Sequence, residues 1–291
     1  MRVDVQGLTV RYGSVTAIDD MSFSLSGNKI YGLLGRNGSG KTSLMSALAG
    51  FRRPIGEVRV DGEPVFENPR TMQNVCLVRH SPDAADKGDR VRDVLNYGKA
   101  WRDSWDHAYA LELAELFKIP LKGKVGELSL GRRSALGVVI GLAGRSPLTM
   151  LDESHLGMDT PTRYAFYDTL LHDFMAHPRT ILISTHLIEE LGSLLEEVVI
   201  IDQGRLVLQE DADTLRSRGT EVTGPASDVD EFTAGLTVLS HKSLGGTKAA
   251  MVYGALGDAQ VIRARQLGLE LGPIALQDLF VHLTEPVGGL R

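Results

Sequence analysis

The run Gly35-Arg36-Asn37-Gly38-Ser39-Gly40-Lys41-Thr42 constrains this chain more than any other segment. It fits the pattern GxxxxGK[ST]. A wholly apolar burst, Ile30–Leu34, precedes it, and Thr42–Ala49 follows with Leu44, Met45 and Leu48 on one helical face. The glycines let the backbone curl so that successive N–H groups face phosphate oxygens. Lys41 brings a point charge to the terminal phosphates, and Thr42 offers a hydroxyl to Mg²⁺. The helix that starts there turns its positive end to the same phosphates. Gly35, Asn37, Gly38, Ser39, Gly40, Lys41 and Thr42 are therefore candidate phosphate-binding residues.

A second motif complements the first. Leu148–Leu151 is an apolar strand that delivers Asp152 and Glu153 at its C-terminal end, where ligands bind in open α/β sheets. One carboxylate can hold Mg²⁺, and the other can orient and polarise an attacking water. Val75–Val78, Ile181–Ser184 and Val198–Ile201 are further short apolar strands separated by helical stretches, which predicts an α/β core with a largely parallel sheet. Val3–Val10 and Met21–Ser26 alternate apolar with polar, and Glu57–Val60 before Asp61-Gly62 reads as half of a hairpin. Residues 82–144 form a helical insert. Thr160-Pro161 opens a helix, with Thr160 as the cap and Pro161 at its first position. After Asp211 the chain is richer in Gly and Thr, with two or three weaker strand patterns and a helix over Ala275–Leu283. This predicts a principal domain over 1–211 and a small α+β appendage over 212–291.

Composition narrows the function classes. The 291 residues are 43% hydrophobic and 23% charged, as in globular proteins. The net charge of −6 argues against a general nucleic-acid binder. Cys76, the single cysteine, cannot pair within the chain, which suits a reducing compartment. No apolar run follows Arg2, so no signal peptide is expected. The longest stretch free of Asp, Glu, Lys and Arg runs only from Ser134 to Gly144, well short of the ~20 residues that span a bilayer. Any membrane role is expected to come through a partner.

Five features in order resemble the ATP-binding subunits of ABC transporters, over Val3 to Gln209. Tyr12 stands in LTVRYG, where that family has an aromatic. The GRNGSGKT loop follows. Leu128-Ser129-Leu130-Gly131-Arg132 occupies the place of the family signature, LSGGQ. Asp152-Glu153 precedes Gly157-Met158-Asp159, the place of the D-loop. Ser184-Thr185-His186 ends a strand as the family's switch histidine does. The resemblance implies a P-loop NTPase of ABC type, with a mixed and largely parallel core sheet, an antiparallel β subdomain and a helical insert. It implies ATP and Mg²⁺ as cofactors, with Thr42 and Asp152 at the metal and Tyr12 stacked on adenine. Two such domains, as homodimer or heterodimer, would close head to tail around two ATP molecules. Ser129, Gly131 and Asp159 would then meet the nucleotide held by the opposite subunit. Lys41, Glu153 as general base and His186 at the γ-phosphate would be the catalytic group. An integral-membrane permease would be the partner, with the chain peripheral on the cytoplasmic face and no nucleic acid involved. Gly272–Phe280 resembles the ending of ABC-2-type exporter ATPases and favours export.

Two departures stand out. His80 takes the place of the family's glutamine at the nucleotide, and imidazole is a poorer match for a hard cation. Leu130 and Arg132 replace a glycine and a glutamine of the signature. These motivate an alternative reading, a nucleotide-binding regulatory subunit with little turnover. A soluble ABC ATPase acting on DNA or ribosomes is a further alternative, disfavoured by the lack of a basic stripe. Tyr97, Trp101 and Trp105 recur at helical spacing and read as packing inside the insert, with permease docking as the sharper alternative. His155 reads as a loop residue without a role.

Overall fold

The computed structural model describes residues 1–79 and 86–284. The chain divides into two units, residues 1–186 with 197–209, and residues 187–196 with the chain from Glu210 onward. Residues 187–196, which the sequence reading leaves inside the principal domain, thus group with the second unit.

The first unit begins with β1 (Arg2–Tyr12), β2 (Val15–Ser26) and β3 (Ile30–Leu34), then α1 (Lys41–Leu48). β4 (Ile55–Val60), β5 (Glu63–Pro64), α2 (Pro69–Gln73) and β6 (Val75–Arg79) follow. The helical insert holds α3 (Val91–Trp101), α4 (His107–Leu116) and α5 (Leu130–Ala143). The unit continues through β7 (Leu148–Asp152), α6 (Thr160–Ala176), β8 (Thr180–Thr185), β9 (Glu197–Asp202) and β10 (Arg205–Asp211), whose last residues belong to the second unit.

Two sheets build this unit. The antiparallel one runs β2-β1-β4-β5. Asp61 and Gly62 both have positive φ between β4 and β5, the geometry of a two-residue hairpin turn. The six-stranded sheet runs β10-β9-β3-β8-β7-β6, and the pairs β3–β9, β3–β8, β8–β7 and β7–β6 are parallel. Every residue of β3, β7 and β8 is buried, as expected of parallel strands covered on both faces. Leu33, Leu44, Leu48, Met150, Leu182 and Val199 share one core cluster, which seats α1 against this sheet. Because β3, β8 and β7 are neighbours, the glycine-rich loop, His186 and the Asp152-Glu153 pair leave the same edge of the sheet.

Two local expectations shift. β2 starts at Val15 rather than Met21. Its first half carries Asp19 and Asp20, with Asp20 at φ 49°, and strongly strand-averse residues hide that half from a propensity reading. The cap of α6 is Asp159, whose carboxylate accepts from the Thr162 N–H at 3.0 Å, so Thr160 and Pro161 both lie inside the helix.

The second unit holds α7 (Ile188–Leu191), α8 (Ala212–Ser217), β11 (Gly219–Pro225), α9 (Ala226–Thr233), β12 (Thr237–Leu244) and β13 (Thr247–Tyr253). It ends with α10 (Asp258–Gln266), β14 (Glu270–Pro273) and α11 (Leu276–Thr284). From β11 to β14 the order is β-α-β-β-α-β, and the sheet runs β12-β13-β11-β14 with antiparallel neighbours. This is the split βαβ arrangement. Val222, Val229, Phe232, Ala250, Val252, Ala264 and Leu269 form its core. Four strands stand where two or three are expected, because β12 is largely exposed and its sequence TVLSHKSL lacks a clean apolar face. Among the described residues no helix is long and apolar enough to cross a membrane.

Candidate functional site

β3 delivers the glycine-rich loop and α1 receives it. Gly40 sits at φ 107°, and a Cβ there would meet the Ala17 carbonyl oxygen at 2.6 Å, so the turn into α1 accepts no side chain. Lys41 is buried and its ammonium donates to the carbonyls of Gly35 at 2.7 Å and Arg36 at 3.3 Å. Burial lowers the Lys41 pKa, and the charges of Glu153 and Asp152 oppose that shift.

β7 brings Asp152 and Glu153 to the same place. Asp152 is buried, and its Oδ1 has no hydrogen-bond partner among the described residues. Glu153 sits at φ 49°, a left-handed conformation that carries strain for a side-chain-bearing residue. Its N–H donates to the Ser184 carbonyl at 3.1 Å, which fixes the turn against β8. Its two carboxylate oxygens face different partners. Oε1 lies 3.9 Å from Lys41 Nζ. Oε2 accepts from His186 Nδ1 at 2.7 Å and lies 3.4 Å from His155 Nε2. Strand β8 ends at Thr185, which sets His186 at the rim, where it is half exposed.

Asn37, Gly38, Lys41, Thr42, Glu153 and His186 line one cavity of about 470 Å³. Ser129, Gly131 and Asp159 line another, of about 540 Å³, which shares no lining residue with the first. Ser129 caps α5, its hydroxyl accepting from the Arg132 N–H at 3.3 Å while keeping its own proton to donate. A Cβ on Gly131 would fall 2.3 Å from the Gly157 carbonyl oxygen, so the signature-like segment and the 157–159 loop pack as one surface. Leu130 is half exposed and lies over the Gly157 backbone. Tyr12, at the end of β1, is 39% exposed, and the Arg52 guanidinium covers one ring face at 4.1 Å from the centroid. An adenine reaching Tyr12 would take the other face or displace Arg52. His80 lies outside the described residues.

Three residues differ from the sequence reading. Tyr97 and Trp101 are not packed inside the insert: Trp101 is 82% exposed. α3 ends at Trp101, so Trp105 is not on that helix; its ring packs against Gly98 instead. His155 is a loop residue, as expected, and it is buried beside Glu153. It lies two residues after Glu153, in the turn closed by the Leu156 N–H to Glu153 carbonyl bond.

A family profile described as ABC transporter matches residues 18–155. The chain is 30% identical to the Nod factor export ATP-binding protein I of Burkholderia lata, over 97% of this chain and 96% of that protein. It is also 30% identical to the doxorubicin resistance ATP-binding protein DrrA of Mycobacterium tuberculosis, over 81% of this chain and 75% of that one. Among solved structures, an ATP-binding subunit of an ABC transporter superposes with a TM-score of 0.67 at 20% identity, over 74% of this chain and 92% of that chain. An ATP-binding cassette in a post-hydrolysis state with ADP and phosphate superposes with a TM-score of 0.63 at 16% identity, over 72% and 98%. At these identities the structural likenesses speak for the fold.

Proposed function

This chain belongs to the ATP-binding family of ABC transporters, and from that premise we propose that two copies, or one copy and a relative, close around ATP to drive a membrane exporter. The observation that carries this reading is the separation of the two cavities. The residues for the phosphates and the residues of the signature-like helix start line different spaces of one chain, so a complete site calls for a second subunit. The relatives' names, Nod factor export and doxorubicin resistance, favour export, and the cargo is expected to be set by the permease. Binding to that permease would hold the chain against the cytoplasmic face of the membrane.

In this reading Lys41 leaves its loop carbonyls for the β- and γ-phosphates, and the loop N–H groups hold the remaining oxygens. Glu153 orients the attacking water and accepts its proton, while His186 contacts the γ-phosphate. The buried Asp152 Oδ1, without a partner among the described residues, and the exposed Thr42 suit a hard divalent cation, and Mg²⁺ would be held there. Mg²⁺ supplies charge neutralisation at the phosphates. Ser129 and the first N–H groups of α5 would stabilise the γ-phosphate of the opposite subunit.

The test is assembly. Affinity purification from detergent-solubilised membranes should recover a polytopic membrane protein, and reconstitution with it in vesicles should raise ATP hydrolysis above that of the chain alone. A rate indifferent to every such partner would favour an ATPase not engaged in transport.

Two substitutions probe its parts. Trp101→Ala should leave ATP hydrolysis by the isolated chain intact, because Trp101 lies on the surface, yet reduce cargo export in the reconstituted complex. Loss of the folded state instead would return Trp101 to a structural role. Leu130→Gly should raise turnover severalfold if the leucine over Gly157 holds the opposite phosphate away from the helix start. An unchanged rate would show that the site tolerates leucine, and a low rate in both forms would favour the regulatory alternative.

A further inference from the structure

We infer that Glu153, His155 and His186 form a binding site for a transition-metal ion of the zinc class, and that an ion held there switches the ATPase off. The three donor atoms all lie within 4.8 Å of one another. Glu153 Oε2 is 2.7 Å from His186 Nδ1 and 3.4 Å from His155 Nε2. A tetrahedral zinc with bonds of about 2.0–2.1 Å sets neighbouring donors roughly 3.3 Å apart, so both spacings already bracket the requirement. The remaining adjustment falls on His186, which is half exposed at the end of β8.

The chemistry of the donors selects the ion. Two imidazoles with one carboxylate suit zinc and its neighbours, whereas Mg²⁺ prefers oxygen ligands alone. The site is also built rather than accidental. His155 is 2% exposed and Glu153 14% exposed, so two of the three ligands are held by the surrounding protein. The left-handed backbone at Glu153 aims the carboxylate, and Lys41 engages Oε1, which leaves Oε2 toward the histidines. Because Glu153 and His186 line the cavity of the glycine-rich loop, the ion's fourth position opens where water or a phosphate oxygen can complete the shell. Binding would take the Nδ1 proton of His186 into solvent and replace its bond to Glu153 with two bonds to the metal.

The inhibition rests on the catalytic roles proposed for Glu153 and His186, whereas the binding does not. Zinc sulfate titrated into the nucleotide-free full chain against a chromophoric chelator should show one ion per chain. Millimolar Mg²⁺ should not displace it. His155→Thr and His186→Ala should each weaken binding by about tenfold or more. Zinc should raise the thermal midpoint of the native chain and not that of His155→Thr. If His155→Thr does not fold, His155→Gln and His186→Ala carry the same comparison. No stoichiometric binding, or binding indifferent to both histidines, overturns the site. In the turnover arm, zinc should stop ATP hydrolysis by the native chain and a zinc-selective chelator should restore it, while His155→Thr hydrolyses ATP without zinc sensitivity. Zinc bound through these ligands with turnover unaffected would overturn the inhibition and count against the catalytic roles, leaving the binding site standing.

Discussion

Glu153→Gln should lower steady-state ATP hydrolysis by about 10²–10⁴-fold while leaving nucleotide binding in place. The amide keeps the size of the carboxylate but cannot accept the proton of the attacking water. The groups proposed to hold phosphate, Lys41 and the loop N–H donors, are untouched by the change. The substitution also removes the negative charge 3.9 Å from Lys41, and that ammonium becomes more available to ATP. The arrested site should therefore accumulate the closed state. With Mg-ATP the solution mass should move from 31.6 kDa toward twice that value if the chain closes on itself. A variant that binds ATP yet stays monomeric would mean that the second half-site comes from a different subunit. A variant that hydrolyses ATP at the native rate would remove Glu153 from the mechanism altogether.

The sequence was most legible where one backbone geometry admits few residues. The glycine-rich loop reads directly because Gly40 at φ 107° accepts no side chain, and the acidic pair reads because it ends a wholly buried, mostly apolar strand. The shared sheet edge was legible too, since alternating apolar strands and helices leave few parallel orders. What escaped lies in groups that only tertiary structure brings together. His155 sits buried in a turn beside Glu153 and His186, and no local pattern carries that information. Arg52 covers Tyr12 from forty residues away in the chain. The split βαβ unit was blurred because β12 has mixed exposure along its length and offers no clean alternation. Tyr97 and Trp101 mislead for the opposite reason: aromatic side chains usually seek burial, and here spacing along the helix says nothing about which side is covered.

Asp173→Ala should be among the most destabilising single changes in the first unit, by about 3–5 kcal/mol. Asp173, on α6, is almost wholly buried, and its two oxygens accept from Arg145 and Arg179 at 2.6 Å each. Arg179 is itself buried. It also donates to Thr149 on β7 at 3.3 Å and to the His177 carbonyl at 3.1 Å. Arg145 reaches Asp106 at 3.1 Å and lies over the Tyr109 ring, tying α6 to the start of α4. Removing the carboxylate leaves the Arg179 guanidinium buried without its counter-charge, and that uncompensated charge dominates the cost. Urea unfolding of the nucleotide-free chain should show the loss, and Arg179→Met added to Asp173→Ala should recover part of it by removing the stranded charge. Asp173 lines neither cavity, so variant protein folded at low temperature should bind ATP as the native chain does. A stability cost under about 1 kcal/mol would place the pair among exposed salt bridges, which their burial contradicts. Failure of the double variant to recover stability would mean that the carboxylate acts through α6 packing rather than through Arg179.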